Sequence, residues 1–585
     1  MNTKGVSIRY GDVAIGAKEN FVPTASESQF DTLKQLQQYG LSFPNYANPC
    51  ELYQTVLDGT AQAFPSIPEQ ANLGLWSEQI SSDDGTFIEP IVLELESVGQ
   101  YSSQGLTLTF DTYNGIFATR LSIKWLRITD EGITTLDEKE YNPDNAFYFC
   151  RNFVENYNKI IITFYALNMP KNRLKLRVID YGYGTILYGR ELRNAKIIQE
   201  IDPISTQISI NTADFSLDSK TDMEYSFQAK QPLSIYFDGQ LKATTFVKSA
   251  KRKAKFLWDI QSEDYIGIMD SVPFYGGIYN GADAYNLLEE IFTVAKVPYT
   301  INGNLKGVLV YGYIPFTTCR DALMQVAFAV QNVVDTSGRE DVEVFELDTE
   351  VKQTIPLNRI KQGQSFVDDE TITGVEVTVH SYKPITETVD VYDANESGTG
   401  QNIFVKFSEP LHDLTISNGT FAVDEKGNEL KHTNYAVINA NANCVLKGQQ
   451  YEHTTQTRRQ NRKDVGANTL EKVVAIENAT LVSSHNIDNI LNKCYNWLIK
   501  TNTTNLDIVD GKHVQYGDYI KYGEKKYGTF KYGQKYPNIV TYDKPVNIGD
   551  IINAETEYMG IVSGRIIKQS FNLNGNILVK KAVLK

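Results

Sequence analysis

The runs IVLELES (91–97), GLTLTFD (105–111), ATRLSIKWLRI (118–128), KIIITFYAL (159–167) and RLKLRVIDY (173–181) decide the fold of the N-terminal part of the chain. Apolar and polar residues alternate in each, and Gly, Asn, Asp or Pro bounds them. A strand turns successive side chains to opposite faces, so a period of two describes strands with one face in a core and the other in water. Five such runs in succession predict a β-sandwich.

Upstream, the sequence to about Asp58 is polar and irregular, with Pro23, Pro44 and Pro49 and one short helix candidate near 30–39. It reads as an arm that seeks a partner surface, without a core of its own. Downstream, a second β region covers 195–271, and within it SIYFDGQLKATTF (234–246) places Asp238-Gly239 between two strand runs. That dipeptide is a strong signal for a two-residue hairpin turn. The period then changes. ADAYNLLEEIFTVAKV (282–297) sets Leu287, Leu288, Ile291 and Phe292 at helical spacing, and TTCRDALMQVAFAV (317–330) repeats this with Leu323, Val326, Ala327 and Val330 behind a Thr317 or Thr318 cap. With the short strands GVLVYGY and DVEVFEL these predict a small α/β module. From about 354 the chain is β again, apart from IDNILNKCYNWLI (487–499), an amphipathic helix with Ile487, Ile490, Leu491, Cys494, Trp497 and Leu498 on its buried stripe. No repeat of solenoid length is visible.

The length, 585 residues, suggests about four domains. Lys and Arg total 56 against 71 Asp and Glu, a net charge of −15, which argues against a surface committed as a whole to nucleic acid or anionic membrane. The 35 Tyr outnumber the 27 Phe, and Tyr suits half-wet surfaces and interfaces. Cys50, Cys150, Cys319, Cys444 and Cys494 form neither a CxxC pair nor a regular framework. The first residues lack the apolar centre of a secretory signal and no run of apolar residues could span a bilayer, so synthesis and assembly in the cytoplasm, without membrane insertion, are expected.

Chemistry is sparse. The six histidines, His380, His412, His432, His453, His485 and His513, never stand at i, i+4, and no HExxH, HxH or Cys/His pair offers zinc ligands, so neither a metal nor a cofactor is expected. Cys319 lies in an apolar helical pattern and reads as a buried small hydrophobe, not a nucleophile. The glycines of YGYGTILYG (181–189) lack a strand-to-helix setting and read as a turn between domains. Asp83-Asp84, Glu94, Glu96 and Glu289-Glu290 could be imagined as glycosidase acids, but neighbours in a strand face opposite ways, and solvated surface acids are the default. Trp76, Tyr101, Trp125 and Tyr165 could form a sugar-stacking platform, although Trp125 sits in an alternating strand and reads as core.

Two basic stretches stand out from the acidic background. TTQTRRQNRKDVG (454–466) carries Arg458, Arg459, Arg462 and Lys463 with no apolar period, which predicts an exposed loop or hairpin arm. KYGEKKYGTFKYGQKY (521–536) repeats Lys521-Tyr522, Lys526-Tyr527 and Lys531-Tyr532, each before Gly. It could stack on bases or sugars, but an extended Tyr-rich hairpin docked on an acidic neighbouring subunit is the preferred reading. Both stretches are expected at subunit contacts.

The run EIDPISTQISINTADFSL, then QPLSIYFDGQLKATTFVKSAKRKAKFLWDIQSEDYIGIMDSVPFYGGIY, LLEEIF, GYIPFTTCRDALMQVAFAVQNVVDTS and the ending VNIGDIINAETEYMGIVSGRIIKQSFNLNGNILVKKAV resemble the hub proteins of phage tails and of phage-derived contractile particles of Clostridia-like bacteria. The resemblance covers about 190–585 and lies in word order, with no catalytic signature to carry over. It implies two tube-like β-barrel domains in one chain. A homotrimer would then present six such domains and join a sixfold tail tube to a threefold spike or tip. The stretches GLTLTFDTYNGIFATRLSIKWL and VENYNKIIITFYALNMPKNRLKLRVIDYG are similar to discoidin-like sandwiches, whose loops bind sugars.

The expected fold is therefore mainly β with a small α/β module: an N-terminal arm (1–85), a discoidin-like β-sandwich (86–185), a first hub tube-like domain (186–280), the α/β module (281–350), and a second tube-like domain (351–585) with an inserted helix (484–500) and a Tyr/Lys-rich hairpin (515–540). Unpaired strand edges, which invite uncontrolled pairing, would be buried against copies of the same chain. The resemblance implies as partners the tail tube or distal tail protein, baseplate proteins, the spike or tip protein and the tape measure protein, with a host-surface glycan for the sandwich, all in a virion tail or tail-like particle. Two other readings compete. A free carbohydrate-binding adhesin should carry a secretion signal, and a tip-associated cell-wall hydrolase should carry a catalytic domain after the hub, whereas this chain stops soon after GRIIKQSF.

Overall fold

The computed structural model describes residues 5–14, 16–28, 33, 36, 74–112, 114–129, 132–218, 227–361, 363–424, 427–466, 468–519, 535–542, 545–573 and 578–585. The chain is mainly β and forms two compact units, one from residues 1–193, 216–242 and 247–260, the other from 194–215, 243–246 and 261–585.

In the first unit the alternating runs become one antiparallel sheet in the order Val22–Ala25, Thr86–Thr109, Phe147–Leu167, Ala118–Thr129, Gly132–Tyr141, with Val178–Asp180 also paired to Thr86–Thr109. Leu75–Ile80 pairs separately with Arg173–Leu176. Register carries the pattern across the sheet. Leu93 and Ile123 both lie opposite Ile162, and all three are fully or almost fully buried. On the other face Lys159 lies opposite Glu96, bonding it at 3.2 Å and Glu94 at 2.8 Å. The 24-residue strand Thr86–Thr109 keeps its pairing through a series of register shifts that ends at Gly105. Gly105 has φ +135°, and a Cβ there would meet the Cys150 carbonyl oxygen at 2.1 Å, so only glycine fits.

The opening residues are not an arm. Val6–Val13 is a strand between Gly182–Tyr188 and Pro232–Phe237, with Ile8 and Tyr10 fully buried. Ala17 and Phe21 enter the sandwich core, where Phe21 stacks on Tyr181 at 4.7 Å. Eight residues interrupted by Arg9 and Asp12 carry too short a pattern to read as a strand alone; the neighbours on both sides make it one. The helix candidate at 30–39 lies outside the described residues except for Leu33 and Leu36. Asp238 and Gly239 have φ +48° and +82°, the two left-handed residues that a tight hairpin turn requires.

In the second unit the α/β module forms as its period dictates. Ala284–Ala295 is capped by Asp283, which accepts from the Asn286 amide at 3.1 Å, and Cys319–Ala329 by Thr318, which accepts from Asp321 at 3.2 Å. Their facing stripes share a core containing Leu287, Leu288, Ile291, Phe292, Leu323 and Val326. Tyr299–Ile301 pairs in parallel with Val342–Phe345, which also pairs with Val333–Asp335.

A long ribbon follows, Gly374–Asp393 against Tyr435–Asn461, with Gly400–Lys406 and Leu411–Phe421 added to its far part around Val405, Phe407, Leu411, Ile438 and Leu446. The helix Ile487–Leu498 lays Ile487, Ile490 and Cys494 against Val375 and Val377. The last layer is a frame in the order Ser365–Asp368, Asn502–Tyr519, Leu578–Leu584, Gly560–Asn572, Ile551–Thr556, Val351–Ile355. It surrounds Ile355, Leu506, Ile508, Val546, Ile552, Ile566 and Leu584, and its end strands are linked through the 3-10 turn Leu357–Arg359. Among the described residues no helix is long and apolar enough to cross a membrane.

Candidate contact surface and the buried polar clusters

The arginine stretch is not a loop. Residues 454–461 form the end of the strand Tyr435–Asn461, with Arg458 opposite Val377 and Arg459 opposite Glu376. Backbone pairing holds a strand even where its side chains are all polar, so of the expected loop or hairpin arm the stretch takes the form of an exposed, paired strand. Two of the three arginines are satisfied within the chain. Arg459 bonds Glu376 at 3.1 Å, Glu471, and the Asn461 side chain at 2.6 Å, while Arg462 bonds Asp464 at 2.7 and 3.0 Å. Arg458 is exposed and has no hydrogen-bond or ion-pair partner among the described residues. Arg458 and the exposed Lys463 are the cations of this stretch without such a partner among the described residues. Lys521, Tyr522, Lys526, Tyr527, Lys531 and Tyr532 lie outside the described residues; the strands flanking them pair from Gly511 opposite Tyr542 to Tyr519 opposite Lys535.

The aromatic residues named as a sugar platform do not come together as one. Trp76 and Trp125 are enclosed in the sandwich, and the Lys175 ammonium sits 4.7 Å above the Trp76 ring. Neither indole offers a face to solvent. Tyr101 is half-buried, and its hydroxyl donates to the Gly16 carbonyl at 3.2 Å and accepts from Asn20 at 2.6 Å. Trp76 stands at a position whose inward register only the sheet reveals.

Cys319 is fully buried, and burial pushes its thiol up to about 11, which leaves it protonated and unreactive. Asp83 pairs with Lys171 at 2.7 Å, Asp84 accepts from Thr86, and Glu289 accepts from the Tyr299 hydroxyl at 3.0 Å. Each of these three acids has a local partner. Among the described residues no three His, Cys, Asp or Glu side chains converge to hold a metal.

The charged groups with unusual surroundings are ones the sequence reading passed over. In the first unit Asp180 receives Arg9 and, at 3.2 Å, Lys18. Burial works to raise the Asp180 carboxyl, but the two cations outweigh it and hold it down at about 2. Burial also draws the Lys18 ammonium down to about 8 against the pull of Asp180. In the second unit Asp510 binds Arg359 and, at 3.0 Å, Lys580, with all three side chains within 5% of full burial. Lys580 also donates to the Val546 carbonyl, the Val546 amide donates to Asp510 at 3.2 Å, and Arg359 donates to the Val509 carbonyl at 2.8 Å. A trace of this cluster exists in LVKKAVL: Leu578, Lys580, Ala582 and Leu584 share the inward register.

Asp264 caps a short helix, accepting from the Ile266 amide at 3.1 Å and from the Thr336 hydroxyl at 2.6 Å, while Asn211 donates to Thr336 at 2.8 Å. Burial, only partly offset by these donors, pushes its carboxyl up to about 7. On the ribbon, His380 donates from Nε2 to the Glu477 carbonyl at 3.0 Å, so in the neutral pair its Nδ1 accepts from His453 Nε2 at 3.0 Å. Tyr382, opposite His453 in the register, stacks on it at 4.4 Å.

No family of known proteins and no curated protein matches the sequence. Solved structures similar to part of the chain include phage tail proteins. The tail protein from Neisseria meningitidis has 11% identity over 68% of this chain and 91% of its own, with a TM-score of 0.38. The 43 kDa tail protein of prophage MuSo2 from Shewanella oneidensis has 9% identity over 68% and 96%, with a TM-score of 0.39. A prophage tail protein from Listeria monocytogenes has 11% identity over 68% and 91%, with a TM-score of 0.34. Overlaps this shallow carry no weight for function.

Proposed function

We propose that the chain is a structural hub of a phage tail or phage-tail-like contractile particle, a trimeric adaptor that joins a sixfold tail tube to a threefold spike or tip and works by binding, not catalysis. One observation carries the reading. The two ends of the hub-like word order, AKIIQEIDPIS and GRIIKQSFNL, meet in one sheet of the second unit: Ile197 lies opposite Phe571, Gln199 opposite Gln569, and Glu200 opposite Lys568, which it binds at 2.8 Å. Words remote in sequence belong to one piece of architecture, which is what a shared scaffold requires and a chance run of strand-forming words does not.

Cryo-electron microscopy of the assembled particle tests this reading. Three copies about the tail axis are expected, and a single copy, or absence of the chain from the particle, overturns it. Zymography on host cell walls separates it from the hydrolase alternative: a clearing band that follows the purified chain and is lost on substitution of Asp84 or Glu94 would replace the structural reading.

A further inference from the structure

We propose that the tip of the basic hairpin 240–263 of one copy of the chain docks on the acidic segment 340–350 of a second copy. From Gly239 to Trp258 stand Lys242, Lys248, Lys251, Arg252, Lys253 and Lys255 without one Asp or Glu, in a chain whose net charge is −15. From Glu340 to Glu350 stand Glu340, Asp341, Glu343, Glu346, Asp348 and Glu350 without one Lys or Arg. Six cations therefore answer six acids on the same chain.

The hairpin is formed by Gln240–Arg252 and Leu257–Glu263, neighbours in one sheet, with residues 253–256 turning between them. All five cations from Lys248 to Lys255 are exposed. The tip holds its shape through its own contacts. The Lys253 amide donates to the Leu257 carbonyl at 2.8 Å, Arg252 lies 5.3 Å from the centre of the Trp258 ring and donates from Nε to the Lys255 carbonyl at 3.1 Å, and Trp258 packs edge-on against Phe227 at 5.9 Å. A tip ordered in advance loses little entropy on docking. Asp259 takes up Lys253, whereas Lys251 and Lys255 have no ion-pair partner among the described residues. On the acidic side, Val342–Phe345 is the middle strand of a three-stranded sheet and buries Val342 and Val344, so Asp341 and Glu343 fall on the opposite face, where each binds Arg339 at 2.8 Å. Asp348 binds Lys352. Glu340 and Glu346 are exposed and have no ion-pair partner among the described residues. Both runs thus keep charges that their own chain leaves unanswered, and opposite signs across an interface set register and partner choice. Duplex DNA would also attract a basic hairpin, but a body of net charge −15 repels phosphate around it, while a second copy supplies acids in matching number.

The number of copies joined in this way rests on the trimeric reading above, and the experiment separates the two. Self-association of the full chain is measured by mass photometry at low and high ionic strength. Lys251→Glu with Lys255→Glu, and separately Glu340→Lys with Glu346→Lys, should each weaken association about tenfold or more at low salt and less at high salt, with circular dichroism unchanged. All four substitutions together should restore it to within about threefold, because opposite charges face each other again. Carbodiimide coupling of the unaltered chain, which joins ammonium and carboxylate groups in contact, should link Lys251 or Lys255 to Glu340 or Glu346 in oligomers and not in monomers. An unaltered chain that stays monomeric at low salt, paired variants that associate as it does, a fourfold variant no better than the pairs, or oligomers without these links overturn the proposal. Duplex DNA binding that the hairpin variant loses while association persists would also overturn it and give the hairpin to nucleic acid. Particles that assemble with three copies of either paired variant refute this contact and leave the hub reading standing; absence of the unaltered chain from the particle refutes the hub reading itself.

Discussion

Replacing Asp510 by Asn should loosen the last strands of the second unit more than any other single isosteric change. Asp510 lies between two buried cations, Arg359 and Lys580. At an effective dielectric of about 20, unit charges about 3 Å apart attract by roughly 5 kcal/mol. The amide keeps the shape but loses this attraction, and its NH₂ group turns a donor toward two donors. Two cations that have lost their shared carboxylate remain beside a core of Ile355, Ile508 and Ile566. Relaxation and water entry reduce the net cost to about 3–5 kcal/mol. A chain with several cores does not unfold in two states, so a global midpoint is the wrong measure. Hydrogen exchange of the amides in Asn502–Tyr519, Gly560–Asn572 and Leu578–Leu584 reads the local opening directly. A loss of about 3–5 kcal/mol accelerates exchange roughly a hundredfold to a few thousandfold there, while the sandwich of the first unit keeps its rates. Lys580→Met is the companion variant. It removes one cation, leaves Arg359 paired with Asp510, and should cost far less. Exchange in Asp510→Asn within about threefold of the unaltered chain, or equal loss in Lys580→Met, would refute the triad as the organiser of this core.

Acid should weaken the first unit through Asp180. Its folded carboxyl titrates at about 2 and its unfolded one near 3.9, so the stabilisation is full above pH 4 and is lost as pH falls through 2. Asp180→Asn should abolish that part of the acid sensitivity, read by thermal unfolding across the range, and an unchanged profile would count against the cluster. Asp264 acts with the opposite sign. Because its folded carboxyl is raised to about 7, the folded state holds a proton that the unfolded state has released, and stability falls as pH rises from about 4 to 7. Asp264→Asn should flatten the slope, and a slope that persists assigns it to another group. At the contact surface, Arg458→Ser should leave the chain folded but weaken particle assembly in a salt-sensitive way. Arg459→Ser, whose pairs are exposed and screened by solvent, should affect neither strongly. Normal assembly of the Arg458 variant at every salt concentration would remove the arginine stretch from the interface.

The sequence by itself determined the elements whose residues are in contact along the chain. The alternation in IVLELES and KIIITFYAL became buried Leu93 and Ile162 on one face and exposed Glu96 on the other, because a strand's two faces follow from its period. Asp238-Gly239 turned its hairpin, and the capped stripes 284–295 and 319–329 became helices, since turns and caps are chemistry of a few adjacent residues. Tertiary structure alone decided what depended on distant partners. Val6–Val13 became a strand only because 182–188 and 232–237 flank it, and the polar 454–461 became one because Gly374–Asp393 pairs with it. Arg459 and Arg462 proved to have carboxylates in their own chain, and Trp76 and Trp125 proved to be enclosed. Lys580 was inward by its period, but its meaning required Asp510 and Arg359 from other strands and turns. A side chain's periodicity says which face it occupies; only the fold says what that face meets, because burial costs a charge heavily unless a partner, set by long-range register, stands opposite.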